Sequence, residues 1–300
     1  MNKASKYNNY IIMANEFLYK EDYTKATKAF SKALEYSSNN KEKIDVLYEI
    51  ADIQLLKNNY EGAFNTYKKI IFLNPLEAGA NYGLAIANDF LKGDFKISIK
   101  YYKKAIEIDP EYDRAYFYLA GIYDKLGKKK DALECLEKCI EIDSYDYNSY
   151  NFIGAIYESE GSYQKALTFV KKSLDIKPTF GEGLFNMGVI YKAMGYNDKA
   201  INYYKKALGE FESPYLFLNM SAIYIEEKDY ESAIKILKEG LLDFPNSVNL
   251  HYNLSCSYNN LGNKDLAIDE LKKAVQINSD ALDWARKDED LKNLVEVLKW

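Results

Sequence analysis

At 300 residues with a formal net charge of −5, the chain offers no basic face of the kind nucleic acid requires, and no nucleic-acid partner is expected. No run of eighteen apolar residues occurs and the first ten residues hold no segment of signal-peptide character, so no membrane insertion is expected. Three cysteines in 300 residues fit a reducing, cytoplasmic setting better than a disulfide framework.

Small residues punctuate the chain at a nearly constant interval. Ala26, Ala63, Ser98, Ala132, Ala166, Ala200, Ala233 and Ala267 are separated by 37, 35, 34, 34, 34, 33 and 34 residues. A second set of small residues, Ala14, Ala51, Ala85, Ala120, Gly154, Gly188, Ser221 and Ser255, runs in phase with the first. A period of this length describes a helical hairpin whose apolar surface is too large to bury alone, so hairpins must stack on one another.

In chain order, residues 1–6 are expected to fray, and the first unit covers about 7–40. The polar stretch 37–43 adds three residues before the second unit, 44–77, and is the largest break in phase, where altered packing or a slight hinge is expected. The third unit, 78–112, departs most from the pattern: Asn88 stands at an aromatic position, Ser98 replaces the small Ala, and one extra residue precedes Gly93. It is predicted to be the locally weakest unit.

The fourth, fifth and sixth units (113–146, 147–180, 181–213) keep phase, and the sixth shows the logic most clearly. Leu184, Met187, Gly188 and Tyr191 are spaced to share one helical face. Gly195 follows where a helix can end in a left-handed residue. Ala200, Tyr204 and Ala207 then share a face of a second helix, and the small residues let the two helices approach. The seventh unit, 214–247, opens with Ser213 as N-cap and Pro214 at the first helical position. The eighth covers 248–281. All five prolines, at 75, 110, 178, 214 and 245, fall between units. Residues 282–300 form no further full unit; Leu291, Leu294, Val295 and Leu298 make one apolar stripe after Asp288 and are expected to be a C-terminal capping helix.

A bulky residue, then a small one, then an aromatic, followed by Ala and an aromatic in the second helix at a period of 34, is the tetratricopeptide repeat pattern. The bulky first position is filled by Tyr10, Leu47, Tyr116, Tyr150, Leu184, Phe217 and His251, never by Trp. The chain resembles the tetratricopeptide repeat family over residues 7–281. The resemblance implies an all-α, right-handed α-solenoid of about eight helical hairpins, acting as a non-enzymatic scaffold whose first helices line a concave groove for a peptide or protein segment.

Position six of the unit points into that groove in the family, and it is Asn186, Asn219 and Asn253 in three consecutive units. A side-chain amide both donates and accepts, so a row of them can pair with the backbone of an extended peptide without reading its sequence. Some long family members use such an asparagine ladder, and these three positions match it. Phe117, Tyr118, Phe152, Phe185 and Tyr252, with Asn151 among them, are expected to add aromatic surface beside the row. The Lys and Arg that chaperone-tail binders carry at positions five and nine are missing here: Tyr48 and Asp52, or Phe117 and Gly121, stand there instead. A carboxylate-clamp partner is therefore not expected.

Little in the chain suggests catalysis. The single histidine, His251, occupies a core position, and no spacing brings a nucleophile to it. Cys135 and Cys139 lie four apart on one helix as small buried hydrophobes, and Cys256 falls on the groove side of a first helix, where it could be exposed. The glycines do not cluster into a phosphate-binding loop, and no cofactor or metal is expected. Lys32, Lys69, Lys104, Lys138, Lys172, Lys206 and Lys273 occupy one outer position of the second helices and read as a solvated face. Of the 29 tyrosines, Tyr23, Tyr60, Tyr67, Tyr102, Tyr123, Tyr157, Tyr163, Tyr191, Tyr204, Tyr224, Tyr230 and Tyr258 are expected at repeat core positions. The alternative to peptide binding is self-association through the 282–300 helix or an array end, giving a homo-oligomer.

Overall fold

A computed structural model describes residues 2–298, with side chains described as far as Val295. The described residues form eighteen α-helices and no strand. They pair in order as α1 (Lys3–Tyr19) with α2 (Tyr23–Tyr36), α3 (Asn40–Leu56) with α4 (Tyr60–Leu73), and α5 (Ala78–Phe90) with α6 (Phe95–Ile108). Next come α7 (Asp113–Lys125) with α8 (Lys129–Ile142), α9 (Tyr147–Ser159) with α10 (Tyr163–Ile176), and α11 (Gly181–Ala193) with α12 (Asn197–Ala207). The last pairs are α13 (Pro214–Glu226) with α14 (Tyr230–Asp243) and α15 (Val248–Asn260) with α16 (Lys264–Ile277), followed by α17 (Asp280–Lys287) and α18 (Lys292–Leu298). This is the all-α architecture of stacked hairpins that the repeat spacing called for. The chain divides into two compact units, one reaching Ser149 and one beginning at Tyr150, so the division falls inside α9.

Every hairpin turns in the same way. The residue closing each first helix has a positive φ: Glu21, Asn58, Lys92 and Gly127, then Gly161, Gly195, Lys228 and Gly262. Around Gly195, the Tyr196 amide donates to the Tyr191 carbonyl and the Gly195 amide to the Lys192 carbonyl, each at 2.9 Å. These two bonds satisfy carbonyls that the helix end would otherwise orphan. The same pair of bonds recurs at all eight turns, for instance Asp22 to Phe17 and Glu21 to Leu18 at the first.

Small residues sit where helices cross. Ala14, Ala51, Ala85, Ala120, Ser221 and Ser255 on first helices are fully buried, as are Ala26, Ala63, Ser98, Ala132, Ala166, Ala200, Ala233 and Ala267 on second helices. At Gly188 a Cβ would lie 2.4 Å from the Tyr204 ring, so a side chain there would displace the largest group in that hairpin's core.

Local departures have local causes. Residues 3–6, expected to fray, form the first turn of α1, because the Asn2 side chain accepts the Ser5 amide at 2.8 Å. The three extra residues before the second unit lengthen α3 to 17 residues rather than opening a loop. Asn39 caps it by accepting the Glu42 amide at 2.9 Å, while the Glu42 carboxylate returns to the Ser38 amide. In the third hairpin the left-handed residue is Lys92, so the inserted residue is Gly93 itself, after the turn rather than before it. The two odd residues of that hairpin are partners: Asn88 Nδ2 donates to Ser98 Oγ at 2.8 Å and to the Asp94 carbonyl at 3.1 Å. Ser98 Oγ and Tyr102 Oη in turn donate to the two oxygens of Asp89, the latter at 2.7 Å.

Ser213 and Pro214 open α13 as expected, with Ser213 Oγ accepting the Tyr215 amide at 3.3 Å. After α16 the chain makes two short helices, not one. Leu291, Leu294 and Val295 are buried in the core formed with the last hairpins, while the Leu298 side chain lies outside the described residues.

Candidate functional site: the first-helix faces

The first helices carry every candidate binding residue, and the two units hold them separately. In the second unit, α9 presents Asn151 and Phe152, α11 Phe185 and Asn186, α13 Asn219, and α15 Tyr252 and Asn253. Asn186 Nδ2 donates to Asn151 Oδ1 at 2.9 Å, and Asn151 Nδ2 donates to Glu182 Oε1 at 3.2 Å. One amide chain therefore runs across two successive hairpins. Burial raises the Glu182 carboxyl above its ordinary pKa, with the Asn151 bond acting in the opposite sense.

These contacts sort the candidates. Asn151 is only 2 % exposed, and its amide bonds Asn186 and Glu182. Asn186, Asn219 and Asn253 are half-buried, and no hydrogen bond joins the three to one another. Asn219 faces the fully buried Tyr204 hydroxyl without reaching bonding geometry, and that hydroxyl has no partner. Phe185 packs its ring 5.1 Å from Phe211 and 5.8 Å from Tyr204, so it belongs partly to the core. Phe152 is half-buried.

Tyr252 is engaged by the chain's own C-terminal helices. Its hydroxyl donates to Asp288 Oδ2 at 2.7 Å and its ring meets Trp284 edge-on at 5.9 Å. Cys256, expected to be exposed on this face, is buried, and desolvation, with the Asp288 charge beside it, pushes its thiol pKa up. Nothing in the spacing of residues 248–260 signalled that residues 284–290 would return to this surface.

In the first unit, Phe117 and Tyr118 stand on α7. Tyr118 is 45 % exposed and stacks with Tyr102 at 6.4 Å, edge-on to Tyr82 at 5.9 Å and to Phe117 at 5.7 Å. Tyr82 also lies 5.3 Å from Tyr112. The Tyr82, Phe117 and Tyr118 rings border a cavity of about 570 Å³ that includes Asp113, Arg114 and the α8–α9 connection. Sequence reasoning missed Tyr145 and the acids here, because Asp and Tyr beside a turn look like ordinary capping and connection residues, and it missed Tyr82, which lies within α5.

The remaining candidates are structural. His251 is 7 % exposed; Nδ1 meets Glu270 Oε2 at 2.5 Å and Nε2 the Pro245 carbonyl at 3.0 Å, pinning the hairpin's entry to its second helix. Cys135 and Cys139 are buried and their thiols are pushed up to about 11 and about 12 by desolvation. The lysine row is exposed and pairs locally, as in Lys32–Glu35, Lys104–Glu107 and Lys138–Glu141. Among the described residues, no group of three or more His, Cys, Asp or Glu is placed to hold a metal ion, and no helix is long and apolar enough to cross a membrane.

Hairpins of constant period, each closed by the same turn and each burying small residues at fixed places, define a helical repeat protein. Family models agree and name the repeat. Models described as tetratricopeptide repeat match residues 13–78 and residues 113–146, 147–180, 181–211 and 248–280, and one described as TPR repeat matches 89–127. The chain belongs to the tetratricopeptide repeat family. Residues 214–247 lie outside these matches, yet α13 and α14 form the same hairpin there.

No curated protein sequence matches the chain. Among solved structures, a chain of the APC/C hetero-tetramer Cut9–Hcn1 superposes with a TM-score of 0.64 at 18 % identity, over 92 % of this chain and 52 % of that one. The chain thus spans about half the length of that relative, and at this identity the likeness concerns the fold. Two structures of MamA match at 26 % identity, one with a TM-score of 0.48 over 54 % of this chain and 94 % of theirs, the other 0.49 over 57 % and 92 %.

Proposed function

We propose that this chain is a non-enzymatic, cytoplasmic interaction scaffold that binds an extended peptide or protein segment along its first-helix faces. The observation that carries the reading is the Asn186 amide. Asn151 holds one of its N–H groups, itself fixed by Glu182, which leaves Oδ1 and a second N–H in a defined orientation at a half-buried site. An amide held this way has lost little of its pairing capacity and has its rotamer entropy already removed. Asn219 and Asn253 repeat the position on α13 and α15 and extend the row to three hairpins.

Affinity capture from native extract, using wild-type protein and the Asn186→Ala, Asn219→Ala, Asn253→Ala variant side by side, tests this reading. Proteins retained by the wild type and lost from the variant are expected. Identical captured sets would overturn the asparagine row as the binding element.

Self-association is the second reading, and one observation redirects it. Leu291, Leu294 and Val295 are buried against the chain's own last hairpins, so these three residues of the stripe are not free for a second copy. Apolar surface on α1, where Ile12 is 57 % and Tyr19 91 % exposed, is the surface that would serve instead.

A further inference from the structure

The first unit holds a cavity that the asparagine row does not use. It lies at the N-terminal ends of α7 and α9, between α5 and the α8–α9 connection, and measures about 570 Å³. That volume is within the ~300–1,000 Å³ of ordinary ligand sites. Its walls are aromatic: Tyr82 and Phe117 are half-buried, Tyr118 is 45 % exposed and Tyr145 75 % exposed. The Tyr82, Phe117 and Tyr118 rings brace one another, so these faces are fixed.

The charge around the rings has one sign in excess. Asp113, Asp143 and Asp146 line the cavity against a single cation, Arg114. Asp146 spends both oxygens on α9, accepting the Asn148 and Ser149 amides and the Ser149 hydroxyl. Asp113 and Asp143 each spend only Oδ1, on the Arg114 and Tyr145 amides at 2.6 and 2.8 Å. No ion pair joins Arg114 to any of the three carboxylates. Aromatic faces attract cations through their quadrupoles, and carboxylates with a free oxygen attract them directly.

We infer that this cavity binds a cationic side chain, arginine or lysine, carried on the protein segment that the scaffold engages. The inference rests on the scaffold reading and supplies the chemistry of one anchor: a guanidinium or ammonium lying against Tyr118 and Tyr82 with Asp113 and Asp143 as counter-charges. Arg114 limits the site to few positive charges, since a run of them would meet a like charge at the wall.

The test uses the full chain and a fluorescein-labelled, alanine-rich octapeptide carrying a single arginine, with a matched peptide carrying citrulline, the uncharged isostere of arginine, in its place. Saturable binding of the arginine peptide and at least about 10-fold weaker binding of the citrulline peptide are expected. Asp143→Asn keeps the turn-capping oxygen but removes the charge; with Asp113→Asn it should weaken binding by about 5-fold or more, as should Tyr118→Ala. Glu137→Gln, a change of one charge on an exposed part of α8, should leave affinity within about 2-fold. Equal weakening by Glu137→Gln, equal affinity for the citrulline peptide, or no saturable binding would overturn the inference. The three-asparagine variant should bind the arginine peptide normally. Loss of captured proteins in that variant, with no arginine-peptide binding by the wild type, would sink the cavity and leave the scaffold reading intact.

Discussion

Eight turns close with a left-handed residue, and only four of them are glycine. Lys228 holds φ 61° and Gly195 holds φ 79° at the same place in successive hairpins. Left-handed backbone costs an L-residue ~1–2 kcal/mol, while glycine adds ~0.5–1 kcal/mol of unfolded-state entropy. Lys228→Gly should therefore stabilise the chain by about 0.5–1 kcal/mol and Gly195→Ala should destabilise it by about 1 kcal/mol. Denaturant midpoints moving in opposite directions would show it; a fall in both would contradict it. The glycine turns were legible in the sequence, but Glu21, Lys92 and Lys228 were not, because the two turn bonds and the packing behind them hold a conformation those residues do not favour.

The buried thiols give a second prediction at this scale. Cys135 titrates at about 11 in the folded chain because burial disfavours its thiolate. Its folded pKa lies above the ordinary ~8.5, so the folded state keeps this contribution below pH ~8.5 and loses it as pH rises through about 11. Stability should fall over that alkaline window. At pH 8 native Cys135 and Cys139 should react with iodoacetamide far more slowly than the same thiols in denaturant. Equal rates in both states would contradict their burial.

At the scale of elements, the third hairpin is the informative one. The sequence revealed that Asn88 and Ser98 break the pattern, but not that they break it together. An aromatic and an alanine have been exchanged for an amide and a hydroxyl that bond each other and reach Asp89 and Tyr102. Ser98→Ala would leave the buried Asn88 amide and one Asp89 oxygen short of a partner, an expected cost of about 1–3 kcal/mol, whereas alanine is native at seven equivalent positions. A neutral Ser98→Ala would show that the network contributes nothing. Polar bonding also exchanges with water more readily than apolar packing, and Phe90 and Leu91 remain exposed beside it. Amides of residues 78–112 should exchange faster than those of 147–213; equal protection would contradict a weak third hairpin. Met187, buried with Val170 and Ile190, sets the other extreme, and Met187→Ala should cost ~2–5 kcal/mol.

At the scale of the molecule, the period of 34 carried the architecture, because a repeat unit is determined by residues close in sequence. The placement of partners across hairpins was less legible. Asn151 looked like a groove residue and proved to be the strut for Asn186; Tyr252 looked open and is held by Trp284 and Asp288. Both outcomes depend on which side chain the next hairpin brings alongside, which a single unit's pattern does not specify. With Leu291, Leu294 and Val295 already buried, light scattering at micromolar concentration should return the 34.7 kDa of one chain. A mass of twice that value would favour self-association through the exposed face of α1.

Binding on the first helices would leave a footprint in amide exchange. The most direct measurement is hydrogen exchange of the full chain with and without a protein captured by it. New protection on the first helices, centred on Asn186, Asn219 and Asn253 of α11, α13 and α15, is expected. Protection confined to the second helices, or to residues 280–298, would contradict it.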